Sequence, residues 1–183
     1  SAADWIHRPG WSLRLLRLPP GNVSPCRAVN AGVAMARAEH VCVMVDGARM
    51  LSPGVIAAML TLIRQCCNAF ITTLGWHLGP EPQNLSITRG YCQAVEDKML
   101  RKLRWREDGY RLFSASSLAL SSRWGWFAPI TESNCFAISR KGFQALGGFD
   151  QRFVSPGGGL VNIDFYKQAV ESPQLVTYQL LGE

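Results

Sequence analysis

Val41-Cys-Val-Met-Val-Asp46-Gly-Ala-Arg49 sets five apolar residues directly before an acid and a glycine. A short, unbroken apolar run bounded by turn residues reads as a strand covered on both faces, as in α/β sheets. Asp46 then stands at the carboxyl end of that strand, and open α/β sheets bind ligands in the crevice outside those ends. An acid placed there holds a metal or a ribose hydroxyl. The same Asp-Gly pair also serves simply to turn the chain.

The stretches on either side supply the alternation that such a sheet needs. Upstream, Leu13-Arg-Leu-Leu-Arg-Leu18 reads as a strand closed by Pro19-Pro20-Gly21-Asn22, and Ser24-Pro25 opens a helix carrying Cys26, Val29, Val33 and Ala36 at helical spacing. Downstream, Ser52-Pro53 repeats the start signal for a second helix with an apolar stripe of Val55, Ile56, Met59, Leu60 and Ile63. Residues 70–74 follow as a strand, 76–83 as a Pro/Gly-rich loop containing His77, and 90–105 as a helix. Residues 136–139 read as a strand, 140–146 and 160–170 as helices, and 175–181 as the last strand. This rhythm predicts an α/β fold, a mostly parallel mixed sheet flanked by helices, in a single domain. The aromatic run Trp124-Gly-Trp126-Phe127 is expected to pack inside, although exposed aromatics there would mark a binding wall.

Composition narrows the function classes. Among 183 residues, 48% are hydrophobic and 17% charged, which excludes disordered and fibrous chains. Apolar runs such as 55–63 fall short of the ~20 residues that a membrane span requires. The net charge of +6 favours an anionic ligand such as a nucleotide diphosphate, or an anionic membrane surface. Nucleic acid is disfavoured as a partner, because the densest basic run, residues 98–106, interleaves Met99, Leu100, Leu103 and Trp105 like the solvated side of an amphipathic helix. The six cysteines form no C-x-x-C pair, and several lie in apolar runs. They read as buried free thiols in a reducing, cytoplasmic compartment.

Four segments, in order, resemble a nucleotide-sugar-dependent glycosyltransferase of the A fold, of the family 2-like type. Asn30-Ala31-Gly32 followed by Ala36 resembles the Asn-x-Gly helix ahead of the metal strand, and Val43-Met-Val-Asp46-Gly-Ala48 resembles the Asp-x-Asp strand end. Ser133-Asn134-Cys135-Phe136-Ala-Ile-Ser-Arg140 with Gly147-Gly148-Phe149-Asp150 resembles the segment leading to the acceptor side. Gly157-Gly-Gly-Leu-Val-Asn162-Ile-Asp164-Phe165 resembles the acidic helix start that carries the catalytic base.

The resemblance implies a partial A-type fold whose nucleotide-binding strand-helix-strand unit would lie before Ser1, making residues 1–183 the later part of a larger catalytic domain. It implies a nucleotide-sugar donor and a divalent metal, Mg²⁺ or Mn²⁺, held by Asp46. Asn30, Asp46, Ala48, Arg49 and His77 would line the donor side, with Arg123 as a further diphosphate candidate. Asp164 or Glu132 would act as the base. The acceptor would be a saccharide, a lipid-linked glycan or a small molecule, as in bacterial polysaccharide synthesis, with work in the cytoplasm and at the inner membrane face as a peripheral protein.

Two substitutions depart from the family pattern. Ala48 replaces the second acid of Asp-x-Asp, leaving one carboxylate plus diphosphate oxygens, a set that Mg²⁺ tolerates. Val161-Asn162 replaces the acid pair of the helix start, so Asp164 is the nearest carboxylate, and the helix dipole alone gives an acid there a structural use. These departures support the rival reading of a glycosyltransferase-like binding or scaffold module without chemistry. A sugar nucleotidyltransferase is disfavoured because no Gly-rich phosphate loop occurs.

Overall fold

The computed structural model describes residues 12–19, 23–44 and 49–180, the side chains of residues 49, 83 and 84 excepted. Asp46 and Ala48 lie outside the described residues, and the side chain of Arg49 is likewise not described.

The main sheet has four strands: β1 (His40–Met44), β3 (Ala69–Thr73), β6 (Cys135–Ser139) and β7 (Val176–Leu180), in the order β1-β6-β3-β7. Helix α2 (Val55–Gln65) carries the chain from β1 to β3, and α6 (Val161–Glu171) leads into β7. β3 pairs parallel with β7, while β6 pairs antiparallel with both β1 and β3. The sheet is therefore mixed, and the expectation of a mostly parallel sheet is corrected at the level of pairing. β1, β3 and β7 do run one way. The crossover through α2 leaves a gap one strand wide between β1 and β3, and β6 fills it in the opposite direction.

Burial corrects the opening stretch as well. All five residues of β3 are buried. β1 instead forms an edge among the described strands, its residues half-buried or exposed, with Met44 59% exposed. An apolar run shows that a segment can be covered; only its place in the strand order determines whether it is. The strand expected at 13–18 does not form. Residues 12–19 carry no regular structure and are mostly exposed, because their Leu and Arg residues find no strand to pair with among the described residues.

Helices cover both faces. On one side α1 (Cys26–Met35), α5 (Arg140–Ala145) and α6 pack against Phe70, Phe136 and Ile138. Phe165 sits at the hub, its ring centroid 5.0 Å from Phe143 and 5.2 Å from both Phe136 and Phe149. On the other side α2 presses Val55 and Met59 onto Ala69, Ile71, Cys135 and Ala137. The odd-even alternation of β3 and β6 between the two clusters is the period-2 pattern of strands buried on both faces. Ile56 and Leu60 of the expected α2 stripe are exposed, since one helix turns only about a third of its circumference to a sheet.

The start signals behave differently from one another: Pro25 and Gly54, not Ser24 and Ser52, are the N-caps of α1 and α2, and neither makes a side-chain cap, which corrects the caps expected there. Ser139 caps α5 by accepting from the Gly142 amide at 3.0 Å. Pro25 occupies the N-cap of α1, and Ser24 Oγ donates to the Phe153 carbonyl at 2.5 Å, tying the helix start to a distant loop.

A second, three-stranded antiparallel sheet forms from β2 (Arg49–Met50), β4 (Trp76–Leu78) and β5 (Ser116–Leu118). β2 follows the carboxyl end of β1 and β4 that of β3, so this small sheet caps the carboxyl ends of the main one. Short helix α3 (Gln83–Ser86) and helix α4 (Gln93–Leu103) follow β4. In and just after α4, Arg101, Lys102, Arg104 and Arg106 are exposed, while Met99, Leu100, Leu103 and Trp105 are half-buried, the solvated amphipathic arrangement expected of the basic run.

All six cysteines are free, but only Cys26 and Cys135 are buried, which corrects the expected burial of the set. Cys42 and Cys135 share a thiol–thiol hydrogen bond in which either sulfur can donate; it holds the Cys42 thiol below its ordinary value, while hydrogen bonding and burial push Cys135 up. No helix among the described residues is long and apolar enough to cross a membrane.

Candidate functional site

Where the two sheets meet, at the carboxyl ends of β3 and β7, lies a cavity of about 270 Å³. Its floor is Thr73, Leu74 and Leu180 from the main sheet with Val55 from α2. One wall is Met50, Leu51 and Ser52, the chain that emerges from residues 45–48. The opposite wall is aromatic: Trp76, Tyr110, Phe113 and Trp126. Trp76 organises it, meeting Phe113 edge-on at 5.3 Å and Trp126 at 6.2 Å between centroids.

Hydrogen bonds fix the rim. The single proton of the Ser133 hydroxyl is within reach of the Cys135 carbonyl at 2.6 Å and the Thr73 carbonyl at 3.2 Å, and the oxygen can accept from the Thr73 amide at 3.1 Å, pinning the Glu132-Ser133-Asn134 segment to the end of β3. At Gly75, between β3 and β4, the amide donates to Ser122 Oγ at 2.9 Å. A Cβ on Gly75 would come within 3.0 Å of Ala119 Cβ and Asn134 Nδ2, so the strand-to-strand turn has no room for a side chain. The Asn134 amide nitrogen is itself buried without a hydrogen-bond partner.

Beyond the cavity the aromatic run continues outward. Trp124 is 71% and Phe127 94% exposed, with the Arg123 guanidinium 4.7 Å over the Trp124 ring. The packed interior expected for this run is thus corrected: it forms an exposed aromatic shelf beside the cavity mouth.

The sequence-derived site residues fall in different places. His77 is not in a loop. It is 6% exposed in the middle of β4, paired in register with Arg49 and Ser117, because 76–78 supplies the central strand of the small sheet. Asn30 joins α1 to the Gly147-Gly148-Phe149 loop: its Nδ2 donates to the Phe149 carbonyl at 2.8 Å and its Oδ1 accepts from the Phe149 amide at 2.9 Å. Gly148 has φ +68°, and a Cβ there would lie 2.8 Å from Asn30 Oδ1. Two of the segments that carry the resemblance are thereby held together.

Glu132 is half-buried next to Ser133 and does not itself line the aromatic cavity. Asp164 lies in the first turn of α6, its carboxylate accepting from Gln168 Nε2 at 2.7 Å, and it does not line the aromatic cavity. α6 packs on the sheet face opposite α2, which separates Asp164 from the cavity's α2 wall. Nearby, Arg152 pairs with Asp150 at 2.6 Å and holds that carboxyl below its ordinary range.

Among the described residues no three His, Cys, Asp or Glu side chains converge as a metal-binding group. The residue expected to hold a divalent metal, Asp46, lies outside those residues. Tyr110 and Phe113 carry no local sequence signal: they lie in a 3-10 helix, Gly109–Ala115, which the pairing of the following strand β5 with β4 brings to the wall. Trp126 carried a signal in the aromatic density of 124–127, whereas Trp76 lay in what read as a Pro/Gly-rich loop. Compared with known protein families and with curated proteins, the chain matches none.

Proposed function

We propose that this chain is a nucleotide-sugar-dependent glycosyltransferase, or the acceptor-side part of one, and that the aromatic cavity holds a sugar ring. The observation that carries this reading is the position of the cavity: an aromatic-lined pocket at the carboxyl ends of a mixed α/β sheet, one wall of which begins where residues 45–48 end. The C–H face of a pyranose is apolar and complements indole rings, while its hydroxyls reach the polar groups of Ser52, Thr73 and Tyr110. Asp46 serves the diphosphate side, where charge grows as the sugar–phosphate bond breaks. A divalent ion bound there supplies charge neutralisation.

In the transfer itself an acceptor hydroxyl attacks the anomeric carbon, its proton passes to a carboxylate, and the nucleoside diphosphate leaves. Glu132 is the better supported base, being one residue from Ser133, which is bonded to Thr73 of the cavity floor. Asp164 is engaged with Gln168 away from that floor.

The test uses protein that also carries the nucleotide-binding strand-helix-strand unit implied by the resemblance, with a panel of nucleotide sugars with and without Mn²⁺, followed through tryptophan fluorescence and release of nucleoside diphosphate in the presence of oligosaccharides. Manganese-dependent binding and turnover are expected, with Asp46→Asn abolishing turnover at a nearly unchanged melting temperature. Binding without turnover would favour the module that has lost its chemistry. Absence of binding, or Asp46→Asn turnover within about threefold of the parent, sinks the reading.

A further inference from the structure

Three sulfur atoms converge beneath β1 and β6, on the face covered by α2. Cys42 is the register partner of Ala137, and Cys135 of Met44, so the two cysteines are diagonal neighbours across the antiparallel pair. Their Sγ atoms are 3.6 Å apart, and Met59 Sδ of α2 lies 3.9 Å from Cys42 Sγ. Met59 and Cys135 are each 2% exposed within a packed apolar cluster, whereas Cys42, on the edge strand, opens to solvent.

Two chemistries compete for such a pair. Diagonal neighbours have Cα atoms roughly 7–8 Å apart, more than a disulfide spans without backbone movement. A bridging ion asks for less. With metal–thiolate bonds of about 2.3 Å, two sulfurs on one ion stand roughly 3.7–4.0 Å apart at tetrahedral to trigonal angles. The separations present, 3.6 and 3.9 Å, are already close to that spacing. The donor set is wholly soft, two thiols and a thioether, which suits neither Mg²⁺, Ca²⁺ nor Mn²⁺. Structural Zn²⁺ sites take four ligands drawn from thiolate, imidazole and carboxylate, so a thioether in a three-donor site argues against zinc too.

We propose that Cys42, Cys135 and Met59 form a binding site for a soft monovalent cation of the Cu(I) class. On binding, two S–H bonds break and two S–Cu bonds form, both protons pass to solvent, and copper keeps its oxidation state. The Met59 thioether completes a three-coordinate shell. Exposed Cys42 is the entry point, and the apolar cluster around Met59 and Cys135 keeps water from the inner side. The site does not depend on the glycosyl-transfer reading.

The test titrates the reduced protein, without oxygen, against Cu(I) held by bicinchoninate, whose colour falls as copper is withdrawn. One equivalent is expected for the parent protein and none for Cys42→Ser. Met59→Leu, close in volume, should bind at least about tenfold more weakly, since even outer-shell changes at metal sites cost that much. Copper should also protect Cys42 of the parent protein from iodoacetamide, by peptide mass spectrometry, while Cys66, Cys67 and Cys92 stay reactive. That second readout needs no variant to fold. Failure of the parent to withdraw copper, a full equivalent retained by Cys42→Ser, or protection confined to Cys66 and Cys67 would each overturn the proposal.

Discussion

Glu132 and Asp164 show how the same residue type acquires different prospects from its neighbours. Asp164 was the more visible from sequence, as the first carboxylate of a helix that follows three glycines. In the fold its carboxylate accepts from Gln168 one turn along, and it does not line the aromatic cavity. Glu132 directly precedes a segment that carries the resemblance, and Ser133 bonds it to Thr73, in the floor of the cavity. Glu132→Gln is therefore expected to lower turnover by ~10²-fold or more with donor affinity intact, because a general base acts chiefly in the transition state. Asp164→Asn should stay within a few fold. Steady-state kinetics with separate donor-binding measurements check both, and the reverse pattern would return the base to the start of α6.

At the scale of elements, the link between β4 and α4 carries a titratable contact. The Tyr91 hydroxyl donates to Glu96 Oε2 at 3.1 Å, and a Cβ on Gly79 would come within 3.0 Å of the Tyr91 ring. Burial first, then the Glu96 carboxylate, raise the Tyr91 phenol from 10.0 to about 12. A folded-state pKa above the unfolded one stabilises the protonated form. The contribution is complete below pH 10 and is lost as pH rises toward about 12. Urea midpoints measured across that alkaline window should fall less steeply for Tyr91→Phe than for the parent protein. An equal slope would mean that Tyr91 titrates normally in the fold.

For the whole molecule, two apolar clusters on opposite faces of one sheet set the stability, and the cavity is a by-product of how the small sheet caps the large one. Phe165 belongs to α6 but touches rings contributed by β3, β6, α5 and the loop after it. At 1% exposure it is central to the cluster. Phe165→Ala should cost about 3–5 kcal/mol, read as a drop in the urea midpoint with an unchanged slope. A loss under about 1 kcal/mol would show that the cluster collapses around the gap.

The helices announced by Ser24-Pro25 and Ser52-Pro53, the helix spanning the basic run, the strand read at 70–74 and found at 69–73, and the closing helix and strand were legible in the sequence itself. Each rests on patterns within a few residues: side-chain periodicity and proline geometry. Partnership was decided only in the tertiary structure. The leucines and arginines of 13–18 have a strand's pattern and no strand beside them, and 41–44 has a buried strand's composition on an exposed edge. His77 became the middle of a sheet because β2 and β5, distant in the chain, pair on either side of it. The aromatic cavity and the three converging sulfurs arise the same way. Backbone hydrogen bonds between strands join residues far apart in sequence, and no local pattern specifies which strand lies next to which.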